Sequence, residues 1–490
     1  MADQPLPVAI IGAGPTGLML ARCLQAWGVS YRIFDKKPGI AAQARALGVQ
    51  ARTLEAWAQF GLADKAVAQG AFARRVRFHA QGKMLREVPI GRIGEGMTAF
   101  PYLLFLDQPK TEALLANSLT QAVEWQCHVE DVVPLKDHAR VVLATGEVVK
   151  ARFVVGADGA HSIVRQAMGV ALEGTSHNQN FYVTDVPIKG PITEDAVSVY
   201  FGRDDFVVAF PKHGEGLMRL VGVLPDEGAD ISMDVVRAQA LGAAGLPLSI
   251  GTPEWLSTYK VHHRVVQRFW LGPLILAGDA AHIHSPVGAQ GMNTGLIDAH
   301  NLGFRLALML RHACGPHMLE RYHKERHGFA MRLIKTTDQA FNLIASGSRQ
   351  ARFARRFGVP AVARFMLWFN PLRRFVFRTV SQIGIRYPAA AGRKRGLPRP
   401  GARFPWVQLQ HGGQVSMSHD LLAYDRFTIL DFRQVPGPLD IPLPFHHRIV
   451  TGPKRFQDSL ILVRPDMVVD CVVKNGGATA LAAHVARNWT

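Results

Sequence analysis

The sequence predicts an α/β fold: a Rossmann-like domain on a parallel sheet, with an antiparallel sheet inserted into it. Three observations predict this. A buried strand, Val8 to Ile11, runs into a glycine-rich turn and then a helix. The same texture, an apolar strand ending in glycine and aspartate, returns at Phe153–Gly159 and at Leu274–Asp279. Between those returns, Thr175 to Trp270 changes to short alternating strands separated by Gly/Asp turns.

The first unit reads VAIIGAGPTGLMLA, with Gly12, Gly14 and Gly17 in G-x-G-x-x-G spacing around Ala13, Pro15 and Thr16. Gly12 permits the tight strand-to-helix turn, Gly14 a close backbone approach to a pyrophosphate, and Gly17 close helix–strand packing. The N–H groups at the helix start then face the phosphates, with the helix dipole in favour. A second strand, Tyr31 to Phe34, ends in Asp35, followed by Lys36. That acid is placed for a ribose hydroxyl. The context predicts a dinucleotide site. A glycine-rich turn in an ordinary βαβ unit is the alternative, and the motif does not say which dinucleotide.

Pro38-Gly39 is a turn, and Ala51 to Phe60 reads as a helix ended by Gly61. Arg45, in the loop before it, suits a cofactor phosphate or plain solvent equally. Val76 to Val88 reads as a hairpin turning at Gln81-Gly82. Leu103 to Gln108 is a strand leading into a helix from Thr111 to Leu119, with Thr111 as its cap and Glu112 in its first turn. Val129–Leu135 and Arg140–Leu143 are strands. Next, Gly156, Asp158 and Gly159 end a buried strand, and a helix starts near His161-Ser162. Asp158 sits where open α/β sheets bind ligands; a helix cap is the alternative. The inserted strands are Phe181–Val186, Ala196–Phe201, Phe206–Phe210 and Leu217–Val223. After Leu274–Ala277, Gly278 and Asp279 open a loop rich in Gly and Pro, followed by a helix from about Thr294 to Leu310. Gly288, Gly291 and that helix N-terminus offer several backbone N–H groups to a developing negative charge.

A chain of 490 residues implies two or three domains. No apolar run reaches the roughly 18–20 residues of a membrane span. The first strand starts so near the N-terminus that no cleavable targeting segment is expected. Four scattered cysteines, without C-x-x-C pairing, argue against a disulfide framework or zinc site. No metal is expected, and a cytoplasmic setting fits. The net charge of +18 is concentrated: Gln339 to His419 holds 14 Lys/Arg and no Asp or Glu. The remainder is near balance, which argues against nucleic acid as the partner of the whole chain.

Three motifs thus stand in order: GAGPTG at 12–17, GADGAHSIVR at 156–165 and AGDAAHIHSPVGAQGMNTG at 277–295. Together they resemble the FAD-dependent aromatic hydroxylases, single-component flavoprotein monooxygenases related to p-hydroxybenzoate and phenol hydroxylase. The resemblance spans about the first 345 residues and extends to ARALGVQARTLE and LDQPKTEALL. It implies FAD contacts from Arg45 and Gln108, and an adenine neighbour in Val132. Asp158 and Gly159 would serve FAD and the NAD(P)H path. Gly278 and Asp279 would hold the ribityl and pyrophosphate region. Pro286, Gly288, Ala289 and Gln290, then Gly291, Met292 and Asn293, would line the oxygen-reacting edge of the flavin. The implied chemistry is flavin reduction by NADPH or NADH, oxygen addition to give a C4a-hydroperoxide, and hydroxylation of an electron-rich aromatic ring. No acid–base pair is assigned; His282 reads as a structural neighbour of Asp279. Ala289 stands where the family usually has Gly, and Arg305 where it usually has Lys.

The resemblance implies a discontinuous FAD-binding domain (1–75, 101–175 and 271–345) and a substrate domain (76–100 and 176–270). Tyr200, Phe210, His213 and Arg219 are candidates to line the pocket; each reads equally as core or solvated. Met318 to Ala345 reads as a long helix with Glu320, Arg321, Glu325 and Arg326 on solvated positions. A basic helical segment or linker follows (346–392). Its aromatic and arginine pattern fits packing on the FAD domain or a dimer face, or peripheral contact with an anionic membrane through 349–378. Residues 393–490 resemble the thioredoxin-like tail of phenol hydroxylase relatives. ILVRPD at 461–466 carries that likeness, with Met467 where the tail usually has Gly. The expected partners are an aromatic small molecule and O₂, with the protein a monomer or homodimer. Epoxidation or oxidative inactivation of an antibiotic is the rival chemistry, and an FAD-carrying protein without turnover the rival class.

Overall fold

The computed structural model describes residues 4–42, 46–80, 82–190, 195–202, 206–213, 216–223, 232–245, 248–283, 290–312, 314–345, 358, 369–389, 396–474 and 477–489. Its helices are α1 (Pro15–Ala26), α2 (Ala51–Ala58), α3 (Ala63–Gln69), α4 (Gln108–Ala116), α5 (Ile163–Ala167), α6 (Met233–Ala244), α7 (Gly291–Arg311), α8 (His317–Ala345), α9 (Asn370–Val380) and α10 (Ala478–Trp489).

The first sheet is the parallel one. Leu6–Ile11 lies between Tyr31–Asp35 and Val148–Gly156, and Leu274–Leu276 pairs parallel with Val148–Gly156. Val8, Ala9 and Ile10 are fully buried, as expected of a strand covered on both faces. The turn after it is fixed by glycine. Gly12 has φ +101°, and a Cβ there would lie 2.4 Å from the Ala157 carbonyl oxygen. A Cβ on Gly17 would lie 1.9 Å from Gly12 O, so α1 could not seat on the turn.

The inserted sheet runs His282–Ile283, Trp255–Val265, Glu173–Lys189, Leu217–Val223, Phe206–Pro211, Ala196–Phe201, Arg75–Ala80, Lys83–Pro89. It is not wholly antiparallel: Ala196–Phe201 pairs parallel with Arg75–Ala80. That strand arrives from the first domain and not through a hairpin, so nothing forces an antiparallel neighbour. Strand alternation sorts its faces. Tyr182, Val207, Ala209 and Leu220 pack with Val236 and Ala240 of α6. Val208 and Phe210 face Leu47 and Phe105 of the first domain.

The C-terminal sheet centres on Phe427–Asp431, parallel to Phe445–Ile449 and antiparallel to Ser459–Val463, which pairs with Val469–Lys474. Both faces are buried. Ile461 and Val463 join a local core, whereas Phe427, Ile429, Leu460 and Leu462 join the main core with Leu481 and Trp489 of α10. This module is part of the body and not an appendage. Met467 keeps a left-handed backbone, φ +58°, the conformation that favours glycine.

Three expectations need correction. The helix expected from Thr111 starts at Gln108, with Pro109 in its first turn. Thr111 is fully buried inside it and caps nothing, because proline's fixed φ already suits the helix start. α7 begins three residues before Thr294. Glu325 and Arg326 are not solvated: they are 3% and 0% exposed. Each has an opposite charge waiting, as described next.

Candidate functional site

Gly12–Gly17, Asp35, Asp158–Gly159 and Gly278–Asp279 lie at the C-terminal ends of the parallel strands, where open α/β sheets arrange their ligands. Gly14 caps the start of α1, and a Cβ there would meet nothing within 4 Å. Unlike Gly12 and Gly17, it is not required by packing, so the space beside it is open to a ligand. Thr16 wedges between the next two elements: Cβ atoms on Gly278 and Gly295 would lie 2.6 and 2.3 Å from its Oγ1.

Asp35 is 8% exposed. Its Oδ2 accepts from Ala13 N–H at 2.7 Å and its Oδ1 from Lys37 N–H at 2.9 Å. The acid thus ties the glycine turn to the end of its own strand. Lys36 is exposed. Lys37 turns inward instead: its Nζ lies 3.8 Å from Asp35 and from the fully buried Glu112. Gln108 donates to Glu112 Oε1 at 2.8 Å, and Ala41 N–H donates to Glu112 Oε2 at 3.1 Å. Val132 is buried in the main core.

Asp158 Oδ2 accepts from Ile163 N–H at 2.8 Å at the head of α5, whose cap is Ser162, its Oγ accepting from Arg165 N–H at 3.0 Å. The Oδ1 of Asp158 is buried without a hydrogen-bond partner among the described residues, and burial raises its carboxyl pKa. Gly159 beside it has φ +78°. Asp279 is open to solvent yet ringed closely enough by protein that desolvation raises its pKa, with His282 opposing.

α7 starts at this cleft. Gln290 precedes it, and its side chain caps none of the first-turn N–H groups; Gly291 and Met292 are the first two residues of the helix. The Asn293 side chain is not free for a ligand. Its Oδ1 accepts from Gln50 N–H and Thr53 Oγ1 at 2.8 Å each, and its Nδ2 donates to Gly48 O at 2.8 Å. It bolts α7 to α2. Arg45, Pro286, Gly288 and Ala289 lie outside the described residues.

His282 lies close enough to Asp279 to lower its pKa against the effect of burial, and its Nε2 is 2.7 Å from Asp298 Oδ2, on α7. Arg326, the residue expected in solvent, donates to Asp298 Oδ1 at 2.5 Å. Arg305 and Arg464 both bind Glu325, at 2.8 and 2.7 Å.

The substrate-side candidates separate by strand face. Phe210 faces the first domain, edge-on to Phe105. Tyr200 is on the α6 side, in core, and His213 is exposed. Arg219 is 2% exposed and bidentate on Asp185, at 2.7 and 2.8 Å. Its second arm reaches Ala46 O, and Lys212 bridges Asp185 to Asp107 at 2.7 and 3.1 Å. Arg219 therefore latches the inserted sheet to the first domain.

A second feature was not read from sequence because it joins distant segments. A cavity of about 510 Å³ opens beside Asp158, lined by His161, Arg165, Lys260, His262, Arg264 and Ile283 among others, with no acid in its lining. Among the described residues no group of three or more His, Cys, Asp or Glu is arranged to hold a metal, and no helix is long and apolar enough to cross a membrane.

The chain matches the family model described as FAD binding domain over residues 5–337. It is 34% identical to 6-methylpretetramide 4-monooxygenase of Streptomyces rimosus, over 76% of this chain and 68% of that protein. It is 31% identical to rifampicin monooxygenase of Streptomyces venezuelae, over 84% and 85%. The fold superposes on the OxyS anhydrotetracycline hydroxylase from Streptomyces rimosus with a TM-score of 0.78 and 26% identity, covering 98% of each chain.

Proposed function

We propose, from the premise that the chain belongs to the FAD-binding family of aromatic monooxygenases, that it uses NADPH and O₂ to hydroxylate a polycyclic phenolic substrate. The residues present fit FAD. Gly14 leaves a cradle that a Cβ would fill, while Gly12 and Gly17 cannot carry one. The first turns of α7 reach the same cleft, where Gly295 abuts Thr16. Bound FAD supplies hydride acceptance and the activation of O₂.

The chain's own residues do the rest. The glycine turn and the dipole of α1 receive the pyrophosphate. The N-terminus of α7 favours negative charge at the ring edge. Arg219, Asp185 and Lys212 hold the inserted sheet over the cleft, so that its Phe210 face closes the site against water. The cation-lined cavity beside Asp158 suits the phosphates of NADPH, and His161 and Arg165 place it next to the cofactor cleft.

The observation that carries this reading is the meeting of three separate chain segments, Gly12–Gly17, Gly278–Asp279 and the start of α7, around Thr16. The similarity to a 6-methylpretetramide monooxygenase supports a fused-ring phenol as substrate. Similarity over most of a rifampicin monooxygenase supports a second reading, oxidative inactivation of an antibiotic. We read the C-terminal sheet as a thioredoxin-like module with a structural role, since it has no C-x-x-C.

The experiment is NADPH oxidation by the purified yellow protein, with tetracyclic phenols, rifamycins and simple phenols offered in parallel. Stimulation by the tetracyclic class supports the first reading, and stimulation by rifamycins alone the second. Lys260→Ala and His262→Ala are expected to raise KM for NADPH about tenfold while leaving FAD content unchanged. An unchanged KM would remove the cavity from the account.

A further inference from the structure

The corner after α9 holds a glutamine where the backbone favours glycine. Ser381 caps the end of α9, and its N–H returns to Phe377 O at 2.8 Å. Gln382 follows with φ +61°. Its N–H goes back to Thr379 O, and Gly384 N–H goes back to Arg378 O at 2.8 Å. A left-handed residue closing a helix in this way is most often glycine, because a Cβ is crowded there.

The side chain explains the exception. Gln382 is 1% exposed. Its Nε2 donates to Gln290 Oε1 and to Thr294 Oγ1, each at 3.2 Å. Those two residues form the first turn of α7. Thr294 N–H and hydroxyl both donate to Gln290 O at 2.8 Å, so gripping either one fixes the turn. The preceding carbonyl, Ser381 O, accepts from Arg52 N–H at 3.2 Å, so the same corner bears on α2. The Oε1 of Gln382 is buried without a hydrogen-bond partner among the described residues. A strained backbone and a half-satisfied buried amide both work against stability. A residue serving only to stop α9 would do better as glycine.

We propose that Gln382 is a positioning residue for the cofactor-facing turn of α7: it orients Gln290 from behind and touches neither cofactor nor substrate. This rests on the reading of that turn as the flavin edge.

The test compares wild type, Gln382→Gly, Gln290→Ala and the double variant. Glycine suits the corner, so the Tm of Gln382→Gly apoprotein is expected to hold or rise. Its Kd for FAD, read by fluorescence quenching, is expected to weaken about fivefold, the worth of a lost hydrogen bond. The visible circular dichroism of the bound flavin should change with it. The double variant should lose less than the sum of the two single variants in both readouts, because Gln382 and Gln290 act on the same turn and only the Thr294 contact is left to lose once Gln290 is truncated. Wild-type flavin properties in Gln382→Gly would overturn the proposal, as would additive losses in the double variant or a Gln382→Gly protein that does not fold. A wild-type protein that binds no FAD would instead overturn the flavin reading and leave the corner geometry standing.

Discussion

Asp298 Oδ2 accepts from Gly278 N–H at 3.0 Å and lies 2.7 Å from His282 Nε2. One carboxylate on α7 therefore holds the Gly278–Asp279 turn and the strand that leads into the loop preceding α7. Arg326 on α8 supplies the countercharge at 2.5 Å. Asp298→Asn keeps the shape and leaves a fully buried guanidinium uncompensated. The expected cost is about 3–5 kcal/mol, read as a fall in the urea midpoint with an unchanged m-value.

Gly14 and Gly12 separate folding from binding. Gly14→Ala meets no protein atom within 4 Å, so the apoprotein Tm should stay put. FAD affinity should fall about a hundredfold or more, because the methyl occupies the pyrophosphate's approach. Gly12→Ala, at φ +101° and 2.4 Å from Ala157 O, should fail to fold. Calorimetry with and without FAD distinguishes the two. Equal losses in both variants would contradict the open cradle.

The C-terminal module is expected to melt with the rest of the molecule. Arg464 binds Glu325 of α8 at 2.7 Å, and Asn301 of α7 donates to Glu325 and to Asp466 at 2.9 Å each. Arg464→Ala leaves two buried carboxylates short of a partner and is expected to lose about 3–5 kcal/mol. Denaturation followed by flavin fluorescence and by far-ultraviolet dichroism should stay coincident. A separate transition of the tail would contradict this.

The motifs made the parallel sheet, the glycine turn and the inserted strands legible, because each depends on local pattern. The ion pairs were not. Glu325 and Arg326 read as a solvated charge pair on α8, since a helix's own period cannot reveal that Arg305, Arg464 and Asp298 come to meet them. The Arg219 ion pair was hidden in the same way: its partner Asp185 is 34 residues away. Asn293 reads from the motif as lining the flavin edge, but its side chain is used up by Gln50, Thr53 and Gly48. Gln382 carried no sequence signal, because its role exists only where α9 ends against α7.

Acid sensitivity is expected to come in two stages. Burial lowers the pKa of His300 to about 3 and of His419 to about 4. Both are neutral when folded, so their contribution is complete above the ordinary histidine pKa near 6.5 and is lost as pH falls through their folded values. Asp298 and Glu325 form the second stage. Burial would raise them, but Arg326 and His282 for the first, and Arg305 and Arg464 for the second, hold each at about 2. Their contribution is present above the usual carboxylate range and lost toward pH 2. Urea midpoints should therefore start to fall below about pH 6.5, and His419→Gln should flatten that first limb by about one proton.

The most direct measurement is the mass of the product formed under ¹⁸O₂ by the FAD-loaded protein with NADPH and a tetracyclic phenol. Hydroxylation at the expense of O₂ is expected to add one ¹⁸O atom per NADPH oxidised. Substrate returned unchanged with hydrogen peroxide alone, or product oxygen drawn from water, would contradict the account.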